Sequence, residues 1–364
     1  MRFNHYQLSD LVKIKYGKNQ KDVVSDNGTI PIYGTGGLMA YATKPLYTKP
    51  SVLIGRKGTI GKVKYVDHPF WTVDTLFYTE ANEDIVIPKY LYYLMSQIDL
   101  NAYNEGTTIP SLRTETLNRL ELDIPSLEDQ YKVLSYLEPL DNRIALNESI
   151  NNNLFQQAQA LFKARFVDLL PFNGEMPSNW RSGTVSEVIE LHDSKRIPLS
   201  SRERAALAKV YPYYGATSIM DYVDRYLFDG IYLLLGEDGT VVDNAGYPIL
   251  QYVEGKFWVN NHAHILTGKN GFSVELLYLL FSLTNVASIV TGAVQPKISQ
   301  ANLNKVPIII PSIEELRMMD DQVQPMFAQI RNLRAENDRL ATVRDTLLPK
   351  LMNGELDVSE VGDL

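Results

Sequence analysis

Gly106 to Glu128 reads GTTIPSLRTETLNRLELDIPSLE, and Gly292 to Glu314 reads GAVQPKISQANLNKVPIIIPSIE, a related string shifted by 186. Three more segments around it recur in the same order. Ile30-Pro31-Ile32-Tyr33-Gly34 returns as Tyr211-Pro212-Tyr213-Tyr214-Gly215, shifted by 181. Leu53-Ile54-Gly55-Arg56-Lys57-Gly58-Thr59 returns at the same shift as Leu234-Leu235-Gly236-Glu237-Asp238-Gly239-Thr240, and Phe70-Trp71 as Phe257-Trp258 at 187. Four segments in one order at nearly one spacing mark an internal duplication.

Each copy opens with a mixed part. Ser51–Ile54 and Ile231–Leu235 have strand composition between Gly-rich turns, and a helix-like apolar stretch follows each, Lys89–Gln97 and Val274–Leu283. Each copy closes with a long helix. Positions 133, 137, 140, 144, 147, 151, 154, 158, 161 and 165 alternate steps of four and three, and the set shifted by 186 does the same. Leu137, Leu140, Ile144, Asn151 and Leu154 carry one heptad seam; Val323, Met326, Ile330, Asn337, Leu340 and Leu347 carry the other. Asn151 and Asn337 fall at equivalent seam positions, where a buried Asn costs stability and fixes register. Two matched seams in one chain predict helices that pair with each other, antiparallel if the copies are related by an internal two-fold.

The expected class is α+β: two mixed α/β domains related by duplication and joined by two long antiparallel coiled-coil helices. The boundaries read 1–126, 127–172, 173–312 and 313–364, the last being the second helix and a tail. Pro125 and Pro311 end the domains, and Ser126 and Ser312 are placed to cap the helices.

Composition narrows the function. The 364 residues include no Cys, which removes disulfides, zinc ribbons, iron–sulfur clusters and thiol nucleophiles, and fits a reducing, cytoplasmic compartment. The opening MRFNHYQLSD lacks the apolar stretch of a signal peptide. Phe272–Val290, the longest apolar run, is interrupted by Glu275 and Asn285 and reads as a packed helix rather than a membrane span. A net charge of −8 argues at first sight against nucleic acid.

Catalytic motifs fail on inspection. GRKGTIGKV at Gly55–Val63 lacks the spacing and the Ser or Thr of a phosphate loop, and its second copy loses the lysine. His262 and His264 are two apart, but zinc needs further ligands and Thr75 and Phe77 stand in their places in copy one. Asp243, Glu254 and Lys256 have the order of a nuclease set with no equivalent in copy one.

The distribution of charge says more than its sum. Lys13 to Lys64 holds ten basic residues against Asp22 and Asp26, a local +8. In copy two Lys195, Arg196, Arg202, Arg204 and Lys209 cluster around Glu203. Gly, Thr, Ser and Tyr interleave with both sets, letting a backbone approach phosphates while the cations release counterions. The candidate DNA contacts are therefore Lys13, Lys15, Lys18, Lys21, Tyr33, Thr35, Lys44, Arg56, Lys57, Thr59 and Lys62, with Lys195, Arg196, Arg202, Arg204, Tyr214, Thr217, Ser218 and Lys297.

The layout as a whole resembles the specificity subunit of type I restriction–modification enzymes. The likeness rests on the two Gly-to-Glu strings, on Leu161-Phe162-Lys163-Ala164-Arg165-Phe166 before Met176-Pro177-Ser178-Asn179-Trp180, and on Leu347-Leu348-Pro349-Lys350-Leu351-Met352-Asn353-Gly354-Glu355-Leu356. Copy two departs from it with Leu316 where Gln130 is the usual residue, and with Glu237-Asp238 for Arg56-Lys57. The resemblance implies two target recognition domains, each reading one half of a split double-stranded DNA sequence. It implies helices that space them and dock two adenine methyltransferase subunits. S-adenosylmethionine, ATP and Mg would belong to those subunits and to a restriction/translocase subunit, leaving this chain with no cofactor, metal, catalysis or membrane contact of its own. Two other classes stay open: a coiled-coil scaffold binding only protein, and a self-contained nuclease using Asp243, Glu254 and Lys256.

Overall fold

A computed structural model describes residues 1–292 and 294–358; Ala293 and residues 359–364, the end of the expected 313–364 segment, lie outside the described residues. The chain forms two compact units. One is Met1–Ala145 with the chain from Asn337 onward; the other is Leu146–Glu336. The units therefore cut across the four serial segments expected from the sequence, because each long helix is shared between them.

The first unit contains β1 (Phe3–Gln7), β2 (Val12–Tyr16), β3 (Ile30–Gly34), β4 (Gly37–Ala42), β5 (Ser51–Gly55), β6 (Val63–Val66), β7 (Trp71–Thr72), β8 (Leu76–Ala81) and β9 (Glu121–Pro125), with helix α1 (Pro88–Ser96). Strands β2-β8-β5-β6 make one sheet, β4-β3-β7 a second, and β1-β9 a ribbon. β5 is buried along its whole length, as suits a central strand. Helix α2 (Leu127–Phe162) starts in this unit, and Asp129 N–H donates to Ser126 Oγ at 3.1 Å as the expected cap. Val133, Leu134 and Leu137 of α2 share one core with Val52, Phe77, Tyr90 and Leu91, and with Leu348, Leu351 and Met352.

The second unit contains β10 (Arg181–Thr184), β11 (Ile189–Leu191), β12 (Tyr211–Tyr214), β13 (Ile219–Val223), β14 (Phe228–Gly236), β15 (Leu250–Val259), β16 (Ala263–Gly268) and β17 (Pro307–Ile310), with helix α3 (Val274–Ser282). Its main sheet runs β11-β16-β14-β15-β12-β13. Matched strand by strand, this is the order of the first unit, with β15 standing for both β6 and β7. Asp67-His68-Pro69 separates β6 from β7, and a proline has no N–H to give a ladder. One distinctive pairing recurs: β3 runs parallel to β7 with Ile32 opposite Trp71, and β12 parallel to β15 with Tyr213 opposite Trp258. The N–H groups of Trp71 and Trp258 are each satisfied by a backbone carbonyl, Lys18 O at 3.0 Å and Ile197 O at 2.6 Å.

Helix α4 (Ile313–Met352) begins in the second unit, where Glu315 N–H donates to Ser312 Oγ at 3.4 Å. Leu154, Phe155 and Ala158 of α2 pack there with Val323, Met326, Phe327 and Ile330. The seam read from the sequence drifts near the end of α2: Leu161 is 39% exposed, while Phe162 and Phe166 are buried. An α-helix turns every 3.6 residues, so a 3.5-residue pattern rotates by about 20° per heptad. The helix expected over 127–172 is α-helical only to Phe162, then becomes a π turn at Lys163–Val167 and a 3-10 turn at Leu170–Phe172. Likewise only Val274–Ser282 of the apolar run 272–290 is α-helical, and Thr284 Oγ1 donates back to Leu280 O at 2.7 Å just after it. No helix among the described residues is long and apolar enough to cross a membrane.

Candidate nucleic-acid interface

In the first unit, β3 turns through Gly34–Gly37 into β4, and β4 carries a bulge at Met39, because Ile32 pairs with Ala40 and Tyr33 with Leu38. Gly37 has φ +112°, which favours glycine. Tyr33 is buried, its hydroxyl 3.1 Å from His68 Nε2 and its ring 4.2 Å from Lys64 Nζ. Burial, then the neighbouring Tyr41 and Asp67, raises the Tyr33 phenol above its usual pKa. The loop after β5 faces this turn. It is anchored by Gly58 N–H on Pro110 O at 2.9 Å and Leu112 N–H on Arg56 O at 2.9 Å. Tyr33, Thr35, Gly36, Thr59, Lys62 and Lys64 thus line an open cleft of about 440 Å³.

Four of the predicted contacts, Tyr33, Thr35, Thr59 and Lys62, meet in this cleft. The others are spread. Lys13 and Lys15 lie on β2 opposite Glu80 and Tyr78, with Lys15 Nζ 3.7 Å from Glu80. Lys18, Lys21, Lys44 and Lys57 are exposed on loops. Arg56 is half-buried, donates to Asp74 O at 2.7 Å and lies 5.2 Å from the Tyr16 ring.

In the second unit the predicted set divides. Lys195, Arg202, Thr217 and Ser218 are exposed, and Tyr214 is half-buried beside Phe257. Arg204, by contrast, binds Asp221 at 3.0 Å and lies 4.8 Å from the Tyr213 ring. Arg204 and Lys209 hold the Asp221 carboxyl at about 2, with the Lys209 hydrogen bond first among the causes. Arg196 NH1 reaches Glu237 at 2.6 Å and Ala263 O at 2.7 Å, while Lys297 Nζ lies 3.3 Å from Glu237.

These ion pairs belong to a buried network that sequence reading missed. His264 is fully buried, with Nδ1 2.6 Å from Asp193 and Nε2 2.8 Å from Ile298 O. Asp193, Glu237 and His264 bring ligand-type atoms within 4.8 Å of one another, and the Arg196 guanidinium supplies the balancing cation. Burial pushes the Asp193 carboxyl up, but the hydrogen bonds and charge of His264, then Ile265 and Gln300, leave it below its usual value. In copy one Phe77 and Arg56 stand in the places of His264 and Glu237, so no sequence motif connected these residues.

Two hairpins were also missed. Leu38, Met39 and Tyr41 on β4 are 53%, 57% and 46% exposed; Ile219, Met220 and Tyr222 on β13 are 41%, 55% and 43% exposed. The shift of 181 already aligned these residues, but only the fold places them at sheet edges. The nuclease-like trio is occupied otherwise. Asp243 Oδ1 accepts from Ala245 and Tyr247 N–H at 2.9 Å, Glu254 lies 3.7 Å from Arg331, and Lys256 sits 4.8 Å from the Tyr226 ring.

Comparison with known proteins agrees with this architecture. A type I restriction enzyme MjaIX specificity subunit of Methanocaldococcus jannaschii is 27% identical over 349 residues, covering 87% of this chain and 80% of that protein. A type I restriction enzyme HindI specificity subunit of Haemophilus influenzae is 24% identical over 386 residues, covering 81% and 84%. The fold matches that of a solved S subunit of a type I restriction–modification system from M. genitalium, with TM-score 0.59, 18% identity and 97% and 96% coverage. Residues 2–156 and 177–339, most of both units, match the family described as Type I restriction modification DNA specificity domain, and the chain belongs to that family.

Proposed function

We infer that this chain is the DNA sequence-recognition subunit of a type I restriction–modification complex and catalyses no reaction itself. The observation that carries this reading is the family match in two separate segments, 2–156 and 177–339, one for each mixed domain. Each domain has the same strand order and its own exposed hairpin, but different charges beside it. Such a pair suits an asymmetric bipartite target, with one domain reading each half.

The finer reading is an internal duplication whose two long helices pair antiparallel as a coiled-coil spacer. It is supported by the matched strand order and by cores that join the start of α2 to the end of α4, and the end of α2 to the start of α4. The helices would dock two adenine methyltransferase subunits and, through them, restriction/translocase subunits in the cytoplasm. S-adenosylmethionine, ATP and Mg would be held by those partners. The candidate contacts in this chain are Tyr33, Thr35, Thr59 and Lys62 around the cleft, with the exposed Lys18, Lys21, Lys44, Lys57, Lys195, Arg202, Thr217 and Ser218.

The test is to assemble the chain with an adenine methyltransferase and map methylated bases on random DNA. The expected result is one split motif with unlike halves. DNA-independent assembly with no sequence preference would favour a protein-only scaffold, and Mg-dependent cutting by the chain alone would favour the nuclease.

A further inference from the structure

We propose that the β3–β4 and β12–β13 hairpins are the base-reading ribbons of the two domains, presenting Leu38, Met39 and Tyr41, and Ile219, Met220 and Tyr222, to base edges in a DNA groove. This rests on the DNA-recognition reading above and assigns it to residues that carry no charge.

Both β4 and β13 are edge strands, at the ends of the orders β4-β3-β7 and β11-β16-β14-β15-β12-β13. An edge strand with three large exposed apolar residues is an aggregation hazard unless a partner covers it. The hazard occurs twice at residues separated by 181, which single chance exposures would not do.

Each methionine lies over a glycine at the end of the preceding strand or just after it. A Cβ on Gly34 would lie 2.3 Å from Met39 Sδ, and one on Gly215 would lie 2.4 Å from Met220 Sδ. The recurring Tyr-Gly before each turn thus sits beside a bulged methionine, Met39 or Met220, which stays more than half exposed.

At the first hairpin, charge favours DNA as the occupant. The first hairpin lies inside the +8 stretch Lys13–Lys64, and its turn shares a cleft with Lys62 and Lys64. The second hairpin matches the first by position, and the exposed Thr217 and Ser218 lie in its turn; Arg204 and Lys209 beside it are paired with Asp221. A two-stranded ribbon fits the major groove, roughly 12 Å wide, where apolar side chains meet the thymine methyl. Lysines beside it would hold phosphates, which position without reading sequence.

The test uses the chain assembled with its methyltransferase and a target library randomised at every position. Leu38→Ser with Tyr41→Ser should relax base preference about tenfold or more in one half-site and leave the other half intact. Ile219→Ser with Tyr222→Ser should do the reverse. Uracil in place of thymine, which removes only the methyl, should weaken the native complex at one or more thymines of each half-site, and the matching variant less. The intact half-site reports that each variant is folded, and an unchanged salt slope reports that phosphate contacts remain. A native complex with clear preference whose hairpin variants keep it, or lose both halves equally, overturns the hairpin assignment alone. A native complex without base preference overturns the recognition reading and this proposal with it.

Discussion

Glu237 shows how one of two matched positions can take a different task. Its counterpart Arg56 stacks near Tyr16, whereas Glu237 is mostly buried between Arg196, Lys297 and His264. Sequence reading sets Glu237-Asp238 apart as non-contacting. Arg56→Ala with Lys57→Ala is expected to weaken DNA binding and flatten its salt dependence by about one to two phosphate contacts, read from log K against log salt. Glu237→Ala is expected to leave that slope unchanged but to destabilise the second unit by about 3 kcal/mol, since the buried Arg196 keeps only Asp193 as its anion. Thermal melting separates the two outcomes. Gln130 gives a parallel lesson. Its replacement by Leu316 in copy two is visible in the sequence, but its task is not: Gln130 accepts from Ile87 N–H at 2.8 Å and donates to Ile85 O at 2.8 Å and Pro125 O at 3.0 Å.

At the scale of elements, the helices and caps were the most legible parts. A heptad pattern and a Ser before an acidic turn are local signals, and α2 and α4 start at Leu127 and Ile313 beside those serines. The parallel pairing of β3 with β7, the edge positions of β4 and β13 and the internal use of Arg196 and Arg204 were not legible, because each depends on segments far apart in the chain. Even so, the helices attach to their domains through polar contacts that a hydrophobic pattern cannot show. In the first unit Arg344 NH1 donates to Asp141 at 2.8 Å, and the same carboxylate accepts from Tyr93. In the second, Arg331 NH1 reaches Glu275 at 3.1 Å and the Tyr252 hydroxyl at 2.6 Å. Glu275 is 3% exposed, so Arg331→Met leaves a buried carboxylate without its cation, held only by the Tyr252 hydroxyl and Gln324. The expected cost is about 3–5 kcal/mol, and Arg331→Met with Glu275→Gln should recover part of it in a double-mutant cycle.

For the whole molecule, helix length should set target geometry. α2 has 36 residues and α4 has 40. At 1.5 Å per residue these are about 54 and 60 Å long, ample for two half-sites one DNA turn, about 34–36 Å, apart. Adding one turn to both helices in register is expected to widen the unread gap while leaving each half-site sequence the same. Methylation mapping checks this, and an unchanged gap would sink the spacer proposal. Net charge also reads differently at this scale. Residues 1–172 hold 18 basic and 19 acidic residues, and 173–364 hold 17 and 24, so the −8 sits mainly in the second copy and masks a basic stretch in the first.

The discontinuity of the first unit also sets a timetable for biosynthesis. Leu146–Glu336 is one continuous stretch, so the second unit can close as soon as it leaves the ribosome. Val133, Leu134 and Leu137 emerge earlier, beside Val52, Phe77, Tyr90 and Leu91, but the core they share is completed only by Leu348, Leu351 and Met352. At ~5–20 residues per second, translating 146–336 takes roughly 10–40 s. During that interval the first unit's core lacks its last members, and the part made first is the part finished last.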